Sequence, residues 1–194
     1  MSFHRLRHLF PLALLFCAGC FAAAPLPKVM LLTGQSSKYH DWTKISPLVK
    51  TYLDQTGLFA VDVVTTPPTG ADMARFEPKF SGYAAVVMVY EGAEWPAATK
   101  AAFVDYMKKG GGLVVIHDTD NAFPFWAEWN EMIGVGGWGM KPDGNIGARN
   151  ESFGPMIRWR DGKVVLDATT PGNATHPTRH DFPVVTRTPD HPIM

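Results

Sequence analysis

Three short stretches of the chain concentrate side chains that can move protons or hold cations. His40, Asp41 and Trp42 stand together, Glu91 follows Tyr90, and His117, Asp118, Thr119 and Asp120 are consecutive. An imidazole titrates near neutrality, so His117 and His40 are the candidates for proton transfer, with Asp118 as a carboxylate beside them. The same groups offer a donor set for a divalent metal: Asp118 and Asp120 supply oxygen, and His40 or His117 supplies nitrogen, at a spacing that matches no ligand signature. Each has a plainer reading. Asp41 suits the N-cap of the helix that follows it, Asp118 can cap a turn, and His117 can be a satisfied group at the end of a buried strand. The position of His117 at a strand end favours the site.

Further candidates surround these. Asp41, Trp42, Glu91 and Trp126 fall in or near the same loops, where the face of a tryptophan can stack on a sugar. His176, His180 and His191 lie in a proline-rich tail. A pair four residues apart shares a face only on a helix, which Pro177 opposes, so loop histidines are expected there over a zinc pair, with His180 folded back over the pocket as the alternative. Neither Gly34 nor the run Gly110 to Gly112 has the spacing of a phosphate-binding loop, and there is no Gly-x-Ser-x-Gly elbow.

The hydropathy pattern supplies the elements that must carry these side chains. Lys28 to Gly34 is a nearly continuous apolar run closed by glycine, as a parallel strand buried on both faces requires. Asp41 to Gln55 places Ile45, Leu48, Val49, Tyr52 and Leu53 at helical spacing, with Gly57 as terminator. Strands are predicted over Phe59 to Thr65, Tyr83 to Tyr90 and Gly112 to His117. A helix from about Pro96 to Lys109 should bury Ala102, Phe103, Tyr106 and Met107. Helices between parallel strands imply right-handed crossovers and a doubly wound α/β sheet, whose ligands bind outside the carboxyl ends of the strands. Beyond it the pattern predicts a helix over Phe125 to Ile133 and a glycine-rich loop over Gly134 to Asn150. A hairpin turning at Asp161 and Gly162 follows, then a last strand over Pro183 to Thr188.

The N-terminus reads as an export signal: Arg5 and Arg7, an apolar run from Leu9 to Phe21, then Ala22 to Ala24. The run is shorter than the roughly 20 residues a membrane span needs. Cleavage is expected after Ala22 or Ala23, since a cut after Ala24 would leave Pro25 at the new terminus, and the mature protein is expected in the periplasm or secreted. A lipid on Cys20, which follows Gly19, is the rival reading; Cys17 stands where an aliphatic residue is expected. Residues 25–194 are enough for one domain. Both cysteines fall within residues 1–24, so the mature chain has neither a disulfide nor a cysteine nucleophile. The signal removes two of 18 basic residues and none of 18 acidic ones, leaving a net charge of about −2, which argues against a nucleic-acid partner.

Taken together, Val29 to Gly34, His40 to Trp42, Lys108 to His117, Asn121 to Trp126, Ile133-Gly134, Arg149 to Glu151, Gly154-Pro155 and His191 to Ile193 resemble the ThuA-like, trehalose-utilisation family over essentially the whole mature chain. The resemblance implies a flavodoxin-like fold related to class I glutamine amidotransferase domains, and carbohydrate utilisation, often beside keto-sugar chemistry. It implies a small-molecule carbohydrate as partner and a hydrolase or lyase as the class of any activity. Relatives with amidotransferase activity place a cysteine where this chain has His117, so that activity does not carry over. Two departures stand out: Lys141 precedes Pro142 where members often have histidine, and members continue past His-Pro-Ile into a segment with tryptophan, histidine and acids. The chain is therefore expected to be a C-terminally truncated version of the domain.

Overall fold

The computed structural model describes residues 24–36, 39–134, 156–167, 178–186 and 188–192. Four strands, β1 (Lys28–Thr33), β2 (Ala60–Thr65), β3 (Ala85–Val89) and β4 (Gly112–Val115), form one parallel sheet in the order β2-β1-β3-β4. The register runs Val29 to Ala85 and Val61, and Ala85 to Gly112. Helix α1 (Trp42–Gln55) joins β1 to β2, α2 (Ala97–Lys108) joins β3 to β4, and α3 (Ala127–Ile133) follows.

Alternation along the central strands divides the core between two faces. Val29, Leu31, Val87 and Val89 point to one face and are covered by Trp42, Ile45, Val49 and Leu53 of α1. Met30, Leu32, Val86 and Met88 point to the other, beneath α2, α3 and the link between β2 and β3, whose Met73, Phe76 and Phe80 do the covering that a helix does elsewhere. Burial on both faces is why β1 and β3 read as unbroken apolar runs. Leu48 and Tyr52, expected on the inner stripe of α1, are instead 55% and 65% exposed, because the stripe facing the sheet runs through Trp42, Ile45, Val49 and Leu53. Ala102 of α2 is likewise exposed, whereas Phe103 and Tyr106 are buried.

The hairpin forms as expected, β5 (Met156–Arg160) pairing antiparallel with β6 (Lys163–Asp167) across Asp161 and Gly162, both at positive φ. The last predicted strand does not form: 183–186 and 188 pair with no strand. Residues 1–23, all but the last residue of the expected export signal (1–24), and residues 135–155, with Lys141, lie outside the described residues, as does His176. Among the described residues no helix is long and apolar enough to cross a membrane.

In a 2-1-3-4 order, the connections after β1 and β3 depart in opposite directions, which opens a crevice at the carboxyl ends of those two strands. Gly34 sets the near wall of that crevice. Its φ is +131°, and a Cβ there would lie 2.4 Å from Thr66 Oγ1 and 2.6 Å from Thr66 N. Gly34→Ala is expected to cost about 2 kcal/mol or more through backbone strain and overpacking. Thermal denaturation checks this, and an unchanged melting temperature contradicts it.

Candidate functional site

Three strand ends meet at the crevice. After β1, Asp41 caps α1, accepting from Thr43 N at 3.0 Å and from Lys44 Nζ at 3.1 Å. That fixes the entry of α1, settles Asp41 as a cap, and leaves His40 one residue before it, half-buried. Trp42 packs with α1 on the sheet. After β3, Glu91 is placed by its own N–H, which donates to Gln35 O at 3.1 Å. Gln35, buried at 1%, ties the loop after β1 to those after β2 and β3: Nε2 donates to Pro67 O at 2.6 Å and Oε1 accepts from Ala93 N at 2.9 Å.

After β4 the chain makes a 3-10 turn over His117–Asn121. His117 takes φ +33°, a left-handed value uncommon for a residue with a Cβ. The turn is anchored by Thr119, whose buried Oγ1 donates to Met88 O at 3.0 Å and accepts from Tyr90 N at 2.9 Å. Three residues per turn then point Asp118 and Asp120 in different directions.

The result is a cluster. His40 Nδ1 lies 3.5 Å from Asp118 Oδ2, with Asp118 only 2% exposed. The rings of His40 and His117 meet edge to face at 4.8 Å. One donor atom from each of His40, Glu91 and Asp118 lies within 4.8 Å of the other two, the combination best placed to hold a metal. Burial pushes the Asp118 carboxyl above its ordinary range, opposed by the charges of His40 and His117. Burial also raises Asp120, again opposed by His117. His117 and Asp120 line a neighbouring cavity of about 500 Å³ whose other walls are Met107, Leu113, Val115, Met132 and Ile133. A larger concavity of about 690 Å³ lies at the opposite edge, by Tyr83, Ala84 and Gly111 where β3 and β4 begin, away from these groups.

His40, Glu91, His117 and Asp118 therefore come together. Two other candidates do not join them. Trp126 is 5% exposed, enclosed by Trp95, Phe103, Phe123 and Trp129, so its face serves the core. His180 is exposed, its ring nitrogen 2.8 Å from Thr178 O and its ring near Phe182. Within the His117 turn, Asp120 belongs to the cavity beside His117, while Glu91 takes its place among the potential metal donors. Gln35 and Thr119 carry no chemistry that would mark them in a sequence, yet they hold the loops in place.

Thr119→Val keeps the shape of the side chain and removes both hydrogen bonds, leaving Tyr90 N–H buried without its partner. A loss of about 1–3 kcal/mol is expected, and Thr119→Ser should recover most of it. Chemical denaturation of the two variants checks this; equal losses would contradict the bridging role.

No curated protein matches this chain. The family model described as trehalose utilisation, ThuA, matches residues 28–194. A ThuA-like protein from Parabacteroides merdae is similar in structure, with 39% identity and a TM-score of 0.66 over 77% of this chain and 50% of that one. A ThuA-like protein from Bacteroides uniformis is 21% identical, with a TM-score of 0.46 over 62% of this chain and 48% of that one. The chain thus spans about half the length of these two proteins. With its family match running from the first strand of the sheet to the last residue, the chain belongs to the ThuA, trehalose-utilisation family.

Proposed function

We propose that this protein acts outside the cytoplasm on a sugar or keto-sugar derivative, with His117 as general acid/base. Membership of the trehalose-utilisation family supports the carbohydrate half of the reading. The proton-transfer half is carried by one observation: His117 is held at φ +33° at the end of β4, between the ring of His40 and the cavity it shares with Asp120. An imidazole there has a cavity wide enough for a small ligand on one side and the His40–Asp118 pair on the other. The apolar walls of that cavity suit the C–H faces of a sugar ring, and its hydroxyls would turn toward His117 and Asp120. Export rests on the arginines, apolar run and alanines of the N-terminus.

Turnover of mono- and disaccharides and their keto derivatives tests the reading. His117→Ala is expected to lower kcat by about 100-fold or more with little change in melting temperature. Undiminished turnover by that variant would remove His117 from the chemistry. Ligand-induced stabilisation with no product from the wild type would favour a sugar-binding module instead. In cells, the processed chain should begin at Ala23 or Ala24 in the periplasmic or secreted fraction; an unprocessed cytoplasmic chain would end the export reading.

A further inference from the structure

We propose that His40, Glu91 and Asp118 form a binding site for one divalent transition-metal ion. The three come from the ends of β1, β3 and β4, and one nitrogen and two carboxylate oxygens lie within 4.8 Å of one another. Asp118 supplies the second, independent observation. Its side chain is 2% exposed, and neither of its oxygens has a hydrogen-bond partner among the described residues. A carboxylate stripped of water without such partners is costly, and a cation is the group that offsets the cost.

The distances favour a shared ion over a direct bond. A charge-assisted contact between imidazolium and carboxylate closes to about 2.7–2.9 Å. His40 Nδ1 and Asp118 Oδ2 stop at 3.5 Å. Two donors bound about 2.1 Å from one four-coordinate ion stand about 3.4 Å apart. Glu91 offers the third donor, a carboxylate oxygen within 4.8 Å of the other two.

The donor types select the ion. Two carboxylates balance a dication, and the imidazole nitrogen favours Zn²⁺ over Mg²⁺, Ca²⁺ and Mn²⁺, which suit oxygen ligands. Three protein ligands leave coordination positions open to solvent or a ligand. His117 remains outside the set, against the ring of His40 and available for proton transfer. The site stands whether or not the sugar reading holds, since binding is measured without substrate.

The full chain, stripped with a chelator, is titrated calorimetrically with Zn²⁺, Mn²⁺, Mg²⁺ and Ca²⁺, and with Co²⁺ followed by visible absorption. One equivalent of Zn²⁺ should bind, more tightly than Mn²⁺, Mg²⁺ or Ca²⁺, and Co²⁺ should give d–d bands. Asp118→Asn and Glu91→Gln should each weaken binding at least 10-fold and remove those bands, while His117→Ala leaves both unchanged. Circular dichroism establishes that each variant is folded, and Glu91→Gln decides the matter if Asp118→Asn is not. No saturable binding by the folded wild type, a preference for Mn²⁺, Mg²⁺ or Ca²⁺, or a loss in His117→Ala equal to that in Asp118→Asn overturns the proposal.

Discussion

Where β4 leaves the sheet after Val115, β3 still presents Met88 O and Tyr90 N to that side. Ile116 N reaches the carbonyl at 3.1 Å, but no further backbone follows to serve the amide. A buried peptide group left open there would cost as much as a lost hydrogen bond. Thr119 closes the gap with one hydroxyl, donating to Met88 O and accepting from Tyr90 N. The sheet is thereby finished by a side chain instead of a strand, and the backbone is free to turn. Everything at the site depends on that substitution, because the turn it permits lifts His117 out of the sheet and drives Asp118 inward.

Two costs are concentrated in those two adjacent residues. His117 is held in a left-handed conformation, and Asp118 keeps a carboxylate in a place that burial makes unfavourable for charge. The core around them is well supplied by Trp95, Phe103, Phe123 and Trp129, each at most 3% exposed, and that surplus of aromatic packing can sustain strain at the strand end.

Residue pattern alone made the sheet legible, because strands buried on both faces announce themselves as apolar runs and β1 and β3 are of that kind. Asp161-Gly162 was equally plain, since few pairs tolerate two positive φ values. The meeting of His40, Glu91, His117 and Asp118 followed from topology, given that all four lie just beyond strand ends. What topology does not contain is direction. Whether Asp118 or Asp120 turns inward depends on the 3-10 geometry of a five-residue turn, and periodicity over so short a span is not readable. Trp126 was ambiguous for a different reason: an aromatic residue suits a sugar and a core equally, and only the neighbouring rings decide. Val184 and Val185 look like strand residues, yet they are 86% and 71% exposed and pair with no strand among the described residues.

His117 thus stands on a boundary. On one side are His40, Glu91 and Asp118, carrying charge at the carboxyl ends of β1, β3 and β4. On the other is a wall of aliphatic and thioether side chains from β4, α2 and α3. Attraction between charges strengthens as water is excluded, so a ligand settling against the apolar wall would increase the pull between its polar edge and the charged cluster. The left-handed backbone of His117 holds its imidazole at that boundary, against the ring of His40 on one side and the cavity on the other.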